Sequence, residues 1–287
     1  MRDTSLTESC LYTLLHASTE HHDQLLRDFV APLVSQFGAA PELDSYFIAR
    51  YSEPDWQLRF RILGRPEWIS GPVRAEIEKR LPTLAHSGLI RGHEFSEYER
   101  EWDRYGGPQG MQLCEQLFMH DTWLCLRWLD LEQQGLLVKS RRELSLLYTE
   151  RWLDLFNVTS DEREQLYRFA HSWPIKAGEW GPTELEILDR KFADLEQSLR
   201  ANLDAMRQAD RAVWGHDAVA HTVETAIEQS RPAATELLAR HRRGTLTSEW
   251  VHMLWSLTHM HCNRLGIDSY AESIVRYFGW RLYSPTS

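Results

Sequence analysis

The chain has 287 residues, enough for one large domain or two small ones and enough to bury a substantial core. With 43% hydrophobic residues, 26% charged residues and 12 tryptophans, its composition is that of a folded globular protein and excludes a disordered chain. A formal charge of −10 at pH 7 removes the sequence-independent attraction for phosphate backbones, so direct nucleic-acid binding is not expected.

In chain order, residues 11–16 read as a strand. Residues 20–37 carry Leu25, Leu26, Phe29, Val30, Leu33 and Val34 at helical spacing. A loop over 38–42 leads to a strand over 46–51, a turn at Ser52-Glu53-Pro54-Asp55 and a second strand over 56–63, together a hairpin. A helix over 67–84, with Pro72 and Pro82 near its ends, precedes a strand over 89–98. The resulting order, βαββαβ, predicts a ferredoxin-like sheet. From Pro108 onward helical periodicity dominates, over 110–134, 140–156, 160–173, 182–207, 214–229, 232–242 and 247–265. The segment 170–182, with Pro174, Gly178 and Gly181, is the best interior loop or hinge. The fold class is therefore α+β: one domain over 1–287, with a sheet part over 1–107 and a helical part over 108–287.

The cysteines, Cys10, Cys114, Cys125 and Cys262, form no CxxC pair and no disulfide-framework spacing, which suits a reducing compartment. The segment Met1 to Ser9 is mostly polar and unlike a signal peptide, and apolar runs are short for a membrane span, so the expectation is a cytoplasmic protein without membrane contact.

Three motifs could carry chemistry. Strand alternation places Arg59 and Arg61 on one sheet face while Leu58, Phe60 and Ile62 turn to the core. Two guanidiniums so placed offer planar, multi-donor binding to carboxylates; the plain alternative is a solvated sheet face. Arg104-Tyr105-Gly106-Gly107-Pro108 puts an arginine before a glycine pair and a helix start, where backbone N–H groups could meet an anion; the alternative is a simple connecting loop. His259 and Asn263, at i and i+4, share a helix face, and a histidine there could act as acid or base or simply pack in the core. His252, His259 and Cys262 lie near one face, but no HExxH or CxxC pair completes a ligand set, so no metal is expected. A P-loop, GxGxxG and Gly-x-Ser-x-Gly are all absent from the sequence.

Taken in order, several stretches resemble the C-terminal glutamate-elimination domain of LanB-type lantibiotic and thiopeptide dehydratases. They are Tyr46-Phe47-Ile48-Ala49-Arg50-Tyr51-Ser52-Glu53-Pro54, Leu58-Arg59-Phe60-Arg61 and Glu97-Tyr98-Glu99-Arg100-Glu101-Trp102-Asp103-Arg104-Tyr105-Gly106-Gly107. Gly110-Met111, Glu115, Leu117-Phe118 and Asp121 follow, then His259-Met260, Asn263-Arg264-Leu265 and Glu272. The resemblance spans nearly the whole chain, with residues 140–245 carrying little of it. It departs from the family pattern at Gln57, the nearest position to a histidine usual before the first arginine.

The resemblance implies a lyase without a cofactor. A separate glutamylating protein, using glutamyl-tRNA, would esterify Ser or Thr of a ribosomally made precursor peptide, and this chain would expel the glutamate to leave dehydroalanine or dehydrobutyrine. The implied catalytic residues are Arg59, Arg61, Arg104 and His259, and the implied substrate-binding residues are Arg50, Tyr105, Asn263 and Arg264. A homodimer or a complex with the glutamylating partner are the candidate assemblies. Two other readings stay open. One is a pyridine synthase on the same fold, joining two dehydroalanines with leader release, for which the three arginines would have no glutamate to grip. The other is a non-catalytic scaffold that holds the precursor peptide along a strand edge.

Overall fold

A computed structural model describes residues 9–52 and 55–284. The predicted turn at Ser52-Glu53-Pro54-Asp55 and the polar segment from Met1 lie in part outside the described residues. The chain divides into two compact units. The first runs to Glu101 and includes Cys114–Asp130; the second comprises Trp102–Leu113 and the chain from Leu131 onward.

In the first unit, β1 (Ser9–His16), β2 (Leu43–Tyr51), β3 (Gln57–Gly64) and β4 (Gly92–Ser96) form one antiparallel sheet in the order β2-β3-β1-β4. That order, with a helical crossover before β2 and another before β4, is the expected ferredoxin-like arrangement. The first crossover is α1 (Thr19–Leu25), continued by a π-helical turn (Leu26–Val30) into α2 (Ala31–Phe37). The second is α3 (Pro66–Trp68), a π-helical turn (Ile69–Val73) and α4 (Arg74–His86). Both lay apolar stripes on the same sheet face: Phe29, Val30 and Leu33 from one, Val73, Ile77 and Leu81 from the other, against Leu58, Phe60 and Ile62 of β3. The period of two in β3 thus decides which side chains enter the core and turns Arg59 and Arg61 to the opposite face.

The last strand is shorter than predicted. Pairing with β1 ends at Tyr12 opposite Ser96, and Leu89 closes the end of α4 by donating its N–H to the Leu84 carbonyl at 3.1 Å. Tyr98 is therefore free of ladder constraints and can direct its ring elsewhere.

The second unit is helical. It holds α6 (Arg141–Leu153), α7 (Ser160–Lys176), α8 (Pro182–Arg207), α9 (Asp217–Arg242), α10 (Trp250–Leu265) and α11 (Ser269–Tyr283). The middle of α5 (Gly107–Gln133) belongs to the first unit and its ends to the second. Capping boxes start α6 at Ser140 with Glu143 and α7 at Thr159 with Glu162. Two predicted helices, over 214–229 and 232–242, are one: Pro232 removes a single N–H from α9, and the buried stripe continues from Ala226 and Ile227 to Ala233, Ala234 and Leu237. Pro174 is likewise inside α7, so the predicted hinge contracts to the short link between α7 and α8. Helix α11 was outside the predicted set; Asp268 caps it by accepting from the Ala271 N–H at 2.8 Å.

A buried ionic network binds α6, α7 and α11. Arg163 donates to the Glu150 carboxylate at 2.7 Å and to Asp154 at 2.6 Å. Glu150 also accepts from Tyr167 at 2.6 Å and from the Tyr283 hydroxyl. Removing one partner strands the other charge in low dielectric. Arg163→Met is expected to lower the unfolding free energy by about 3–5 kcal/mol, read by denaturant unfolding, with much of the loss recovered in the Arg163→Met/Glu150→Gln double variant.

Candidate active site

The first cluster of interest is on the sheet face opposite the core. Register sets Tyr12 of β1 and Phe47 of β2 on either side of Arg61. The Arg61 guanidinium carbon sits 4.1 Å from the Tyr12 ring centroid, 5.0 Å from that of Tyr98 and 5.3 Å from that of Phe47. Arg59 lies over Tyr51 at 3.5 Å. Arg61 is 9% exposed, and the Nε atoms of both arginines are buried without a hydrogen-bond partner. Among the described residues neither Arg59 nor Arg61 has an ion-pair partner. A cation caged by aromatic faces regains part of its lost hydration but leaves its N–H donors available to an anion.

Helix α5 supplies the neighbouring acid. Arg100 grips Glu115 bidentately, at 2.7 and 3.1 Å, and Phe118 packs on Phe47 with ring centroids 5.3 Å apart. Burial raises the Tyr98 hydroxyl above the usual tyrosine range, and Glu115 raises it further. Burial raises Tyr12 as well, with Arg61 and Arg59 pulling it down. Both hydroxyls therefore stay protonated at neutral pH and remain donors beside the arginines. Arg50 lies on the core side of β2, where it pairs with Asp23 at 2.6 Å, and so belongs to the opposite face from Arg59 and Arg61.

The second cluster is in the helical unit. Arg104 donates from Nε to the buried Ser256 hydroxyl at 3.0 Å and lies 5.5 Å from the Tyr105 ring and 5.7 Å from the Trp255 ring. The loop that carries it needs its glycines. Gly106 and Gly107 have φ of 81° and 72°, a region that L side chains rarely enter, and a Cβ on Gly110 would lie 2.1 Å from the Tyr105 carbonyl oxygen. The Ser248 hydroxyl fastens the loop, accepting from the Gly106 N–H at 2.7 Å and donating to the Asp103 carbonyl at 2.6 Å. Glu249 then caps α10, accepting from the N–H groups of Val251 and His252, which is why the helix begins at Trp250.

His259 is one-third exposed and stacks on Trp255 with centroids 5.5 Å apart and planes 20° apart. Its Nδ1 is 2.8 Å from Glu272 Oε2. His252 stacks on Trp255 as well, at 5.4 Å. The two histidines thus flank an indole in an aromatic column on α10. Tyr105 and Arg264 are buried, and Asn263, one turn after His259 on α10, is partly buried. The structure therefore brings Arg104 and His259 to one indole, Trp255, sets Tyr105 beside Arg104, and groups Arg59 with Arg61 on one sheet face. Sequence reading missed the Tyr12, Phe47 and Tyr98 cage, Trp255, and the role of Glu272 as the partner of His259. No local spacing signals the last, because Glu272 lies 13 residues from His259.

A ferredoxin-like sheet followed by a helical unit is an architecture with solved counterparts. The tRNA-dependent lantibiotic dehydratase MibB from Microbispora sp. 107891 matches with a TM-score of 0.72 and 21% identity, over 98% of this chain and 28% of that one. The pyridine synthase TbtD from thiomuracin biosynthesis matches with a TM-score of 0.66 and 16% identity, over 96% of this chain and 97% of that one. At these identities the likeness concerns the fold. The subtilin biosynthesis protein SpaB from Bacillus subtilis is 24% identical over 156 residues, which are 54% of this chain and 15% of SpaB. The chain thus spans a minor part of both MibB and SpaB. The family model for the lantibiotic biosynthesis dehydratase C-terminus matches residues 11–283, and the chain belongs to that family.

Proposed function

We propose that this protein expels glutamate from glutamylated Ser or Thr of a precursor peptide by β-elimination, leaving dehydroalanine or dehydrobutyrine. A separate glutamylating partner that uses glutamyl-tRNA would supply the ester, which places the reaction in the cytoplasm. Among the described residues no helix is long and apolar enough to cross a membrane.

The observation that carries the reading is Arg61, a buried guanidinium in an aromatic cage with no counter-anion among the described residues. Elimination creates a carboxylate leaving group and an enolate-like transition state, and both call for fixed cations. Arg59 and Arg61 serve as carboxylate grips in this reading, Arg104 neutralises developing charge, and His259 transfers the proton. A pyridine synthase is the second reading, favoured by the fold match over nearly the whole of TbtD. That chemistry has no glutamate for the arginines to hold.

The test is a mass measurement on the purified protein mixed with a glutamylated precursor peptide. Loss of the glutamyl group together with the Ser or Thr oxygen, a net loss of one water relative to the unmodified peptide, is the expected result. Return of the glutamylated peptide unchanged, with leader release from an already dehydrated peptide, assigns the pyridine synthase instead. Arg104→Ala is expected to slow glutamate release by about 10²-fold and to let glutamylated peptide accumulate. Normal dehydration in that variant removes Arg104 from the mechanism.

A further inference from the structure

We infer that Glu272 is a positioning residue that fixes the ring tautomer of His259 and leaves Nε2 as the proton acceptor. The kinetic part of this inference rests on the elimination reading; the structural part does not.

A carboxylate can only accept hydrogen bonds, so the 2.8 Å contact from Glu272 Oε2 requires the proton on His259 Nδ1. A neutral imidazole has one donor and one acceptor nitrogen, and Nε2 then holds the lone pair. Trp255, one turn earlier on α10, fixes the plane of the ring by stacking. Glu272 is itself held. It is 7% exposed, and its Oε1 lies 3.4 Å from Nη2 of the fully buried Arg276. The same Nη2 donates to the carbonyl of Thr258, the residue before His259, at 2.8 Å. The relay therefore ties α11 to the turn of α10 that carries the histidine. The chain reverses between them through Gly266, Ile267 and the capping Asp268. Glu272 is buried while His259 is one-third exposed, so Glu272 acts through the ring.

In the reaction, His259 Nε2 takes the α-proton of the esterified residue. The C–H electron pair becomes the second bond between Cα and Cβ. The Cβ–O bond breaks, and its pair leaves on the glutamate carboxylate. The Nδ1 proton stays on the ring, and Glu272 remains a carboxylate facing the imidazolium.

Glu272→Gln separates this role from mere packing. Arg276 can only donate, so it draws the amide oxygen of the glutamine and turns the NH2 group toward His259. Nδ1 then becomes the acceptor, and the ring proton moves to Nε2. The experiment is the side-chain ¹⁵N spectrum of the full chain labelled at histidine, with His259 assigned from its absence in His259→Asn, alongside elimination kinetics. The expected result is the Nδ1–H tautomer in the parent and the Nε2–H tautomer in Glu272→Gln. With it, kcat falls roughly 10²–10⁴-fold while KM stays within about threefold. An Nε2–H tautomer in the parent, an unchanged tautomer in the variant, or a changed tautomer with parental kcat each overturns the inference. Should circular dichroism show the glutamine variant unfolded, Glu272→Ala is read in the same way, and the parent tautomer alone still decides. A parent protein that releases no glutamate, yet whose tautomer changes as described, overturns the elimination reading and leaves the positioning role standing.

Discussion

Arg61→Met is expected to slow glutamate release by about 10²–10³-fold while leaving the protein at least as stable as its parent. The two effects have one cause. Arg61 is 9% exposed and has no ion-pair partner among the described residues. Desolvating a charge costs several kcal/mol, and contacts with Tyr12, Tyr98 and Phe47 return only about 0.5–2 kcal/mol each at best. Methionine has a similar unbranched length, carries no charge, and gains sulfur–aromatic contacts worth about 0.3–1.5 kcal/mol. The unfolding free energy should therefore stay level or rise by about 1–2 kcal/mol, measured by denaturant unfolding. The same change removes a fixed cation from the carboxylate site and should lower kcat/KM for glutamate release by about 10²–10³-fold. Arg61→Lys keeps the charge but not the planar fork and should fall between the two. A large loss of stability with retained activity would make Arg61 a structural cation and remove the observation on which the elimination reading stands.

Much of this architecture is legible in the sequence because it rests on local periodicity. Leu58-Arg59-Phe60-Arg61-Ile62 alternates, and alternation fixes which face each side chain takes. The βαββαβ order likewise follows from the spacing of apolar runs, and the sheet order β2-β3-β1-β4 agrees with it. What surrounds Arg61 was not legible. Tyr12 and Phe47 meet it through cross-strand register, a non-local property, and Tyr98 meets it because β4 ends early. The partner of His259 was hidden for a related reason. Glu272 is 13 residues away and reaches the ring only because the chain reverses between α10 and α11, a helix outside the predicted set. Pro232 and Pro174 misled in the opposite direction. Proline weakens a helix locally, but a buried stripe on both sides of it decides whether the helix continues.

His259→Asn should lower kcat by about 10²–10⁴-fold, or roughly 3–5 kcal/mol of barrier. The ring is the candidate proton carrier, one-third exposed, with Nδ1 committed to Glu272 and its plane held by Trp255. Asparagine removes the titratable nitrogen but retains polarity, so affinity for an unreactive glutamylated analogue should change by less than about threefold, because proton transfer stabilises the transition state rather than the bound ground state. Glutamylated peptide should accumulate, and deuteration of the substrate α-carbon should slow the variant at least as strongly as the parent. His252 is the internal control: it stacks on the same indole at 5.4 Å and is exposed, yet no carboxylate pairs with its ring among the described residues. His252→Asn should leave kcat within about twofold, since surface changes away from special features are nearly neutral. His259→Phe completes the argument, because phenylalanine can keep the stack on Trp255 but cannot carry a proton. Activity retained in His259→Phe would make the histidine a packing residue; activity lost in both substitutions, with affinity intact, identifies proton transfer as its contribution.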